Sequence, residues 1–387
     1  MPAQQRKGQA VRWVVPVAAV AVVAVAAGAG PVIAAVQGDP VLPKRTAEQL
    51  LVKAIETAHA DGPRAMSGTI IETASLGLPE LPTLGGESST PISLLSGSHE
   101  LRVWYGGGDK MRLALPGQMS ETDLIHNGDQ TWLWDSAANT ATRIRPAKDV
   151  AALGHRDGMP GHGVDGMTSG LTPQAVAQEM LKRAGDDTAI SVTDNEQVAG
   201  RDAYQLELVP KDDDSLIRKI TLALDGQNYV PLRVQVFADG AAEPAFEVGY
   251  GSVTFTQPAA EMFAFTPPAG AKVTEKTLGR PQAPAQAGTA ARKAGEAKRI
   301  GKGWTTVVSV PFKEADLAKP TPEKGHDAGS ADALVKNVLK SAKPVSGTWG
   351  SGKLIQTKLL NILVTNDGRL LAGAVTPEVL TAAAGEN

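Results

Sequence analysis

Residues 202–237 read DAYQLELVPKDDDSLIRKITLALDGQNYVPLRVQVF, and in three successive runs apolar and polar residues alternate. Tyr204, Leu206 and Leu208 form the first apolar set, Ile220, Leu222 and Leu224 the second, Leu232, Val234 and Val236 the third. Between them stand Gln205 and Glu207, Lys219 and Thr221, Arg233 and Gln235. Successive side chains of an extended strand point to opposite faces, so each run is a strand with one greasy and one wet side. Asp212-Asp213-Asp214 and Asp225-Gly226 supply the turns between them. Strands joined by connections this short lie antiparallel, as a meander.

The same pattern extends outward. Further strands are expected at 67–74, 100–105, 110–114, 121–126, 131–135, 140–145, 190–196 and 247–256. Turn signals at Gly106-Gly107-Gly108-Asp109, Asn127-Gly128 and Ala199-Gly200 separate them. Met111 and Leu113 flank Arg112, and Trp132 and Trp134 share one face directly after the Asn127-Gly128 turn. Two helices interrupt the strands. Thr46-Ala47-Glu48-Gln49 reads as a capping box before Leu50, Leu51, Ala54, Ile55 and Ala58. Thr172 and Pro173 open the other, which carries Val176, Ala177, Met180 and Leu181 and stops near Gly185. The fold class is mainly β (α+β): a curved antiparallel half-open barrel with a helical lid. A sheet this long curls, and its inner face then encloses either packed side chains or an apolar ligand. Two short helices are scant filling for it, yet alternation alone leaves both possibilities open.

Composition narrows the class. At 387 residues the chain has room for two domains. A formal net charge of -3 gives no reason to expect a nucleic-acid partner, which calls for a clustered basic surface. Absence of cysteine excludes disulfides, thiolate catalysis and zinc-thiolate sites. Arg6, Lys7 and Arg12 precede an uncharged run over 13–36, the layout of a signal peptide or a signal-anchor helix. The protein is therefore expected to be exported, anchored at the extracytoplasmic face of the membrane by 13–36 or secreted after cleavage. Residues 37–45 are a connector and 46–274 the main domain. Residues 275–303, rich in Pro, Ala, Lys and Arg, are a linker. Residues 304–387 form a small α+β domain with strands at 304–311, 358–365 and 369–374, a helix at 331–340 and a closing helix from Thr376-Pro377. Two loops stand out: the apolar 76–98 and the glycine-rich 146–170.

Motifs for chemistry are sparse. Gly347 to Leu354 imitates a phosphate loop, but Leu354 replaces the required hydroxyl. His155, Asp157, His162 and Asp165 crowd one loop at a spacing that matches no recognised metal site. No G-x-S-x-G elbow occurs, and no nucleophile–base constellation can be assembled. No enzyme activity, metal or cofactor is expected.

Four segments, in order, resemble the LolA-like lipoprotein carriers: Asn127-Gly128 to Trp134 with 139–145, Gly200 to Pro210, 217–225 with Pro231-Leu232-Arg233, and Phe263 to Gly270. The resemblance covers about 46–273. It implies an unclosed antiparallel barrel under a helical lid that binds acyl chains of a lipid or lipoprotein on its concave face. Trp104, Met111, Leu113, Trp132, Trp134, Tyr204, Leu206, Leu208, Leu222, Leu224 and Val234 would then line that cavity. The two-domain layout is similar to that of RseB/MucB-type regulators. It implies an alternative: a sensor that binds a membrane protein partner such as an anti-sigma factor.

Overall fold

Thirteen strands pair into one sheet: β1 (Met66–Ser75), β2 (Ser96–Gly107), β3 (Lys110–Pro116), β4 (Glu121–Asn127), β5 (Gln130–Asp135), β6 (Thr140–Pro146), β7 (Thr188–Val192), β8 (Glu196–Val198), β9 (Arg201–Pro210), β10 (Ile217–Asp225), β11 (Pro231–Ala238), β12 (Phe246–Thr254) and β13 (Lys272–Leu278). The computed structural model describes residues 42–59, 65–77, 94, 96–107, 109–146, 171–183, 185–278, 297–312 and 340–386. Outside the described residues lie the N-terminal run, most of the loop 76–98, the His155/His162 loop, 279–296 of the linker and the helix expected at 331–340, save Lys340.

The strand order is β13-β6-β5-β4-β3-β2-β1-β12-β11-β10-β9-β7, with β8 also on β9. β12 returns to lie beside β1 and so joins the two meanders. The sheet does not close; β13 and β7 are its ends. One buried cluster nonetheless takes residues from β2–β4 and from β9–β12, so the sheet curls around a shared interior. Every pairing is antiparallel except that of β13, which runs parallel to β6. The stretch read as the start of a linker thus belongs in part to the sheet. Gly128, at φ 63°, takes the left-handed backbone of the tight β4–β5 turn.

Both helices begin as the sequence dictates. In α1 (Ala47–His59) the Gln49 N–H donates to Thr46 Oγ1 and the Thr46 N–H to Gln49 Oε1, each at 3.2 Å, which is the reciprocal capping box. In α2 (Pro173–Arg183) Thr172 Oγ1 accepts the Ala175 N–H at 3.2 Å. Leu50 and Ala54 of α1, with Val176, Ala177 and Leu181 of α2, turn their apolar stripes into the sheet's interior.

A second sheet has the order β14 (Lys298–Ile300), β15 (Val307–Pro311), β19 (Arg369–Gly373), β18 (Asn361–Thr365), β17 (Gly350–Gln356), β16 (Lys343–Gly347). α3 (Pro377–Gly385) packs its Leu380 on it over Leu354, Leu363 and Leu371. Gly347 to Gly350 is the β16–β17 turn and a strand follows it, so the context of a phosphate loop is missing. Residues 304–311 are not one strand: a 3-10 turn, Gly303–Thr305, comes before β15.

Leu42–Asn387 forms one compact unit, and among the described residues the two sheets meet at three seams. Trp304 leaves the second sheet to join the large core, where its Nε1 donates to Thr188 Oγ1 at 2.7 Å. Beside it Gly303 approaches Asp187 so closely that a Cβ would lie 2.7 Å from a carboxylate oxygen. Leu216 N–H donates to Ala374 O at 2.9 Å, and Thr376 N–H to Asp214 O at 3.0 Å. The β17–β18 turn reaches the end of β1, where Lys358 bonds Leu76 O and Ser75 Oγ and Leu359 packs on the large core.

Candidate functional site

Cross-strand partners share a face, so the register traces rows across the interior. One row runs Val192, Leu206, Leu222, Val234, Val248, Glu72, His99 over seven strands. The row beside it runs Ile190, Leu208, Ile220, Val236, Phe246, Ala74, Gly97. In the other meander, Val103, Leu113, Leu124 and Leu133 form a third. The inner face is therefore a broad apolar surface with a carboxyl on β1, where the two meanders meet.

Eight of the expected lining residues lie in this interior: Met111, Leu113, Tyr204, Leu206, Leu208, Leu222, Leu224 and Val234. All are buried, with Leu206 and Val234 at 0% exposure, beneath α1, α2 and Trp304. The face is thus closed by its helices and by one indole from the second sheet. Towards β5 the cover thins, and Leu133 is 36% exposed.

Trp104, Trp132 and Trp134 lie elsewhere. Trp132 pairs with Ile125 and Arg143, Trp134 with Asp123 and Ala141, and Trp104 with Arg112, all on the face opposite Leu113 and Leu124. The expectation that these three line the cavity is corrected accordingly. Residues 256–271 cross this outer face. Phe263 is buried under them, Asn127 Nδ2 donates to Phe263 O at 3.3 Å, and Phe265 packs 5.5 Å from Trp132 and 5.8 Å from Trp134. Arg143 stacks over Trp132 and Arg112 over Trp104, both at 5.5 Å. Arg112 also pairs with buried Asp123 at 2.8 Å, although burial still pushes that carboxyl up to about 6. The outer face is an aromatic and ionic layer under a strap of chain.

Sequence reading missed Glu72. Its side chain alternates with Ile70 and Ala74 on the inner face, only 1% exposed, and neither carboxyl oxygen has a hydrogen-bond partner. Burial pushes it up to about 7. Across β2, His99 holds Ser96 O at 3.0 Å rather than Glu72. One step along the same face, Ala74 and Gly97 line an open groove of about 600 Å³ with Thr73, Ser75 and Ser96. On β12, Tyr250 exchanges hydrogen bonds with Gln174 of α2 at 3.0 and 3.1 Å, which ties the helix to the sheet. Among the described residues no three His, Asp or Glu side chains converge as metal ligands.

No family model matches the chain, and no curated protein matches it either. Solved structures to which it is similar include MucB of Pseudomonas aeruginosa in complex with MucA, at 13% identity over 87% of this chain and 96% of that one, with a TM-score of 0.41. A LolA superfamily protein of Nitrosomonas europaea is 14% identical over 57% of this chain and 99% of its own, with a TM-score of 0.23. LprF of Mycobacterium bovis is 11% identical over 60% of this chain and 100% of its own, with a TM-score of 0.27.

Proposed function

We propose that this protein is a non-enzymatic, extracytoplasmic binding protein that takes an acyl chain of a lipid or lipoprotein between its sheet and its two-helix lid. The observation that carries the reading is the row from Val192 to Val248, apolar on five successive strands and covered by two short helices rather than by a second sheet. At about 4.8 Å between strands the row is on the order of 20 Å long, a length suited to an extended chain. Each methylene moved from water onto it contributes about 0.8 kcal/mol. A ligand enters as α1 and α2 lift. The Tyr250–Gln174 pair is one latch of that lid.

The test is titration with a fluorescent acyl probe, with and without a latch. Because the chain has no cysteine, Gln174→Cys and Tyr250→Cys can be joined by a thiol-specific crosslinker. Saturable binding is expected, slowed strongly by the crosslink. An absence of probe binding, together with no lipid in detergent-free mass spectrometry, would refute the reading.

A second reading, a sensor that signals to a membrane protein partner, is favoured by Trp304 and Leu359. Both belong to the smaller sheet's segment yet pack on the interior that a ligand would enter. Occupancy of that interior would then disturb the seams to the second sheet. Partner crosslinking that changes with acyl ligand would support it; a partner bound identically with and without ligand would not.

A further inference from the structure

The row of apolar partners ends on a carboxyl. Glu72 follows Val248 in register, buried on the inner face with both oxygens unpartnered. An ionised carboxylate so placed is costly unless a cation meets it. The titratable groups that face it from neighbouring elements are engaged with other partners. His99 on β2 holds Ser96 O and Tyr250 on β12 bonds Gln174; the Lys358 ammonium, at the end of β1, bonds Ser75 Oγ at 2.9 Å. Glu247 of β12 lies on the opposite face, where it accepts from Gln235. An open groove is lined by Ala74 and Gly97, the next inward pair along the two strands after Glu72 and His99.

We propose that Glu72 is the headgroup-recognition residue of the inner face, selecting amphiphiles whose polar end carries a positively charged amine. The inference rests on the acyl-binding reading and adds ligand polarity and orientation to it. The chain lies along the Val192–Val248 row, and the ammonium sits against Glu72 at the mouth of the groove. A carboxyl poised near neutrality responds strongly to such a ligand, because an adjacent cation favours the charged form. Binding of the ammonium therefore releases a proton from the fraction of Glu72 that is protonated.

The experiment is displacement of a fluorescent acyl probe by dodecylamine, dodecanol and dodecanoate at pH 7.5, on the wild type and on Glu72→Gln. Dodecylamine is expected to displace at a concentration about tenfold or more below dodecanol, the worth of one hydrogen bond between charged groups. Glu72→Gln should bring the two together, and a cooperative urea-unfolding transition shows that the variant is folded. Calorimetry in two buffers of different ionisation enthalpy should register proton release for dodecylamine alone. Equal displacement by amine and alcohol in the wild type, or an amine preference that survives in Glu72→Gln, overturns the assignment of Glu72 and leaves the acyl site standing. Displacement by none of the three overturns both.

Discussion

Replacement of Glu72 by Gln should raise stability at alkaline pH and leave it nearly unchanged in acid. Folding raises the carboxyl from its ordinary 4.5 to about 7 by burial alone. The folded state thus binds this proton more tightly than the unfolded state does. Its contribution to stability is fully present below pH 4.5 and is lost as pH rises through 7. At about 1.4 kcal/mol for each pH unit, that rise is worth at most about 3.5 kcal/mol. Allowance for solvent screening through the adjoining groove leaves about 2 kcal/mol. The amide of Gln cannot ionise, so the variant escapes this loss. Urea unfolding followed by the fluorescence of the six tryptophans, at pH 5 and pH 8, reads the difference directly. Wild type and variant should differ little at pH 5, whereas at pH 8 the variant should be the more stable by about 2 kcal/mol, or roughly 3 °C in Tm. Asp123, also raised by burial, adds the same slope to both proteins and cancels in the comparison. Parallel stability curves from pH 5 to pH 8 would refute the placement of an ionisable, unpaired carboxyl on the inner face.

Three further outcomes follow from the packing. Trp304→Ala removes an indole that is 5% exposed and its bond to Thr188; a loss of about 3–5 kcal/mol is expected, with a single unfolding transition split in two by calorimetry. Asp225→Ala strips the Arg201 guanidinium and the Gln227 and Asn228 N–H groups of their shared acceptor in the β10–β11 turn. Breaking this buried pair should cost about 3–5 kcal/mol in denaturant unfolding. Leu222→Ala, on the inner face, should weaken acyl-probe binding, whereas Trp132→Ala, on the outer face, should leave its Kd within about twofold, since a contact not made contributes nothing. Equal loss in both variants would contradict the assignment of faces.

Local rules settled much of this protein. The alternation in 202–237 gave three strands and their shared face, because the side-chain period of a strand is two whatever surrounds it. Capping by Thr46 and Thr172 and the Asn127-Gly128 turn were equally legible, since each satisfies its own backbone within a few residues. Eight of the inward residues were read from the same alternation, and they share one core.

Period two fixes which residues share a face but not which face is inside, and a choice of the wrong one reverses every assignment on the strand. Around Leu124-Ile125 and Trp132-Leu133-Trp134 both faces are apolar, so alternation could not choose between them. The register and the strap carrying Phe263 and Phe265 decided it, and put the tryptophans outside. Glu72 in TIIETAS reads locally as a solvated strand residue; its burial arises because β12, remote in sequence, closes on β1. Trp304 enters the large core for the same kind of reason, and β13 pairs parallel to β6 across a gap no local signal spans. Sequence by itself determined most strands of the large sheet, the starts of α1 and α2 and the two-sidedness of the sheet, all properties of neighbouring residues. Tertiary structure alone decided which side is inside, and that a carboxyl and an indole from opposite ends of the chain would share it, because burial is set by long-range pairing.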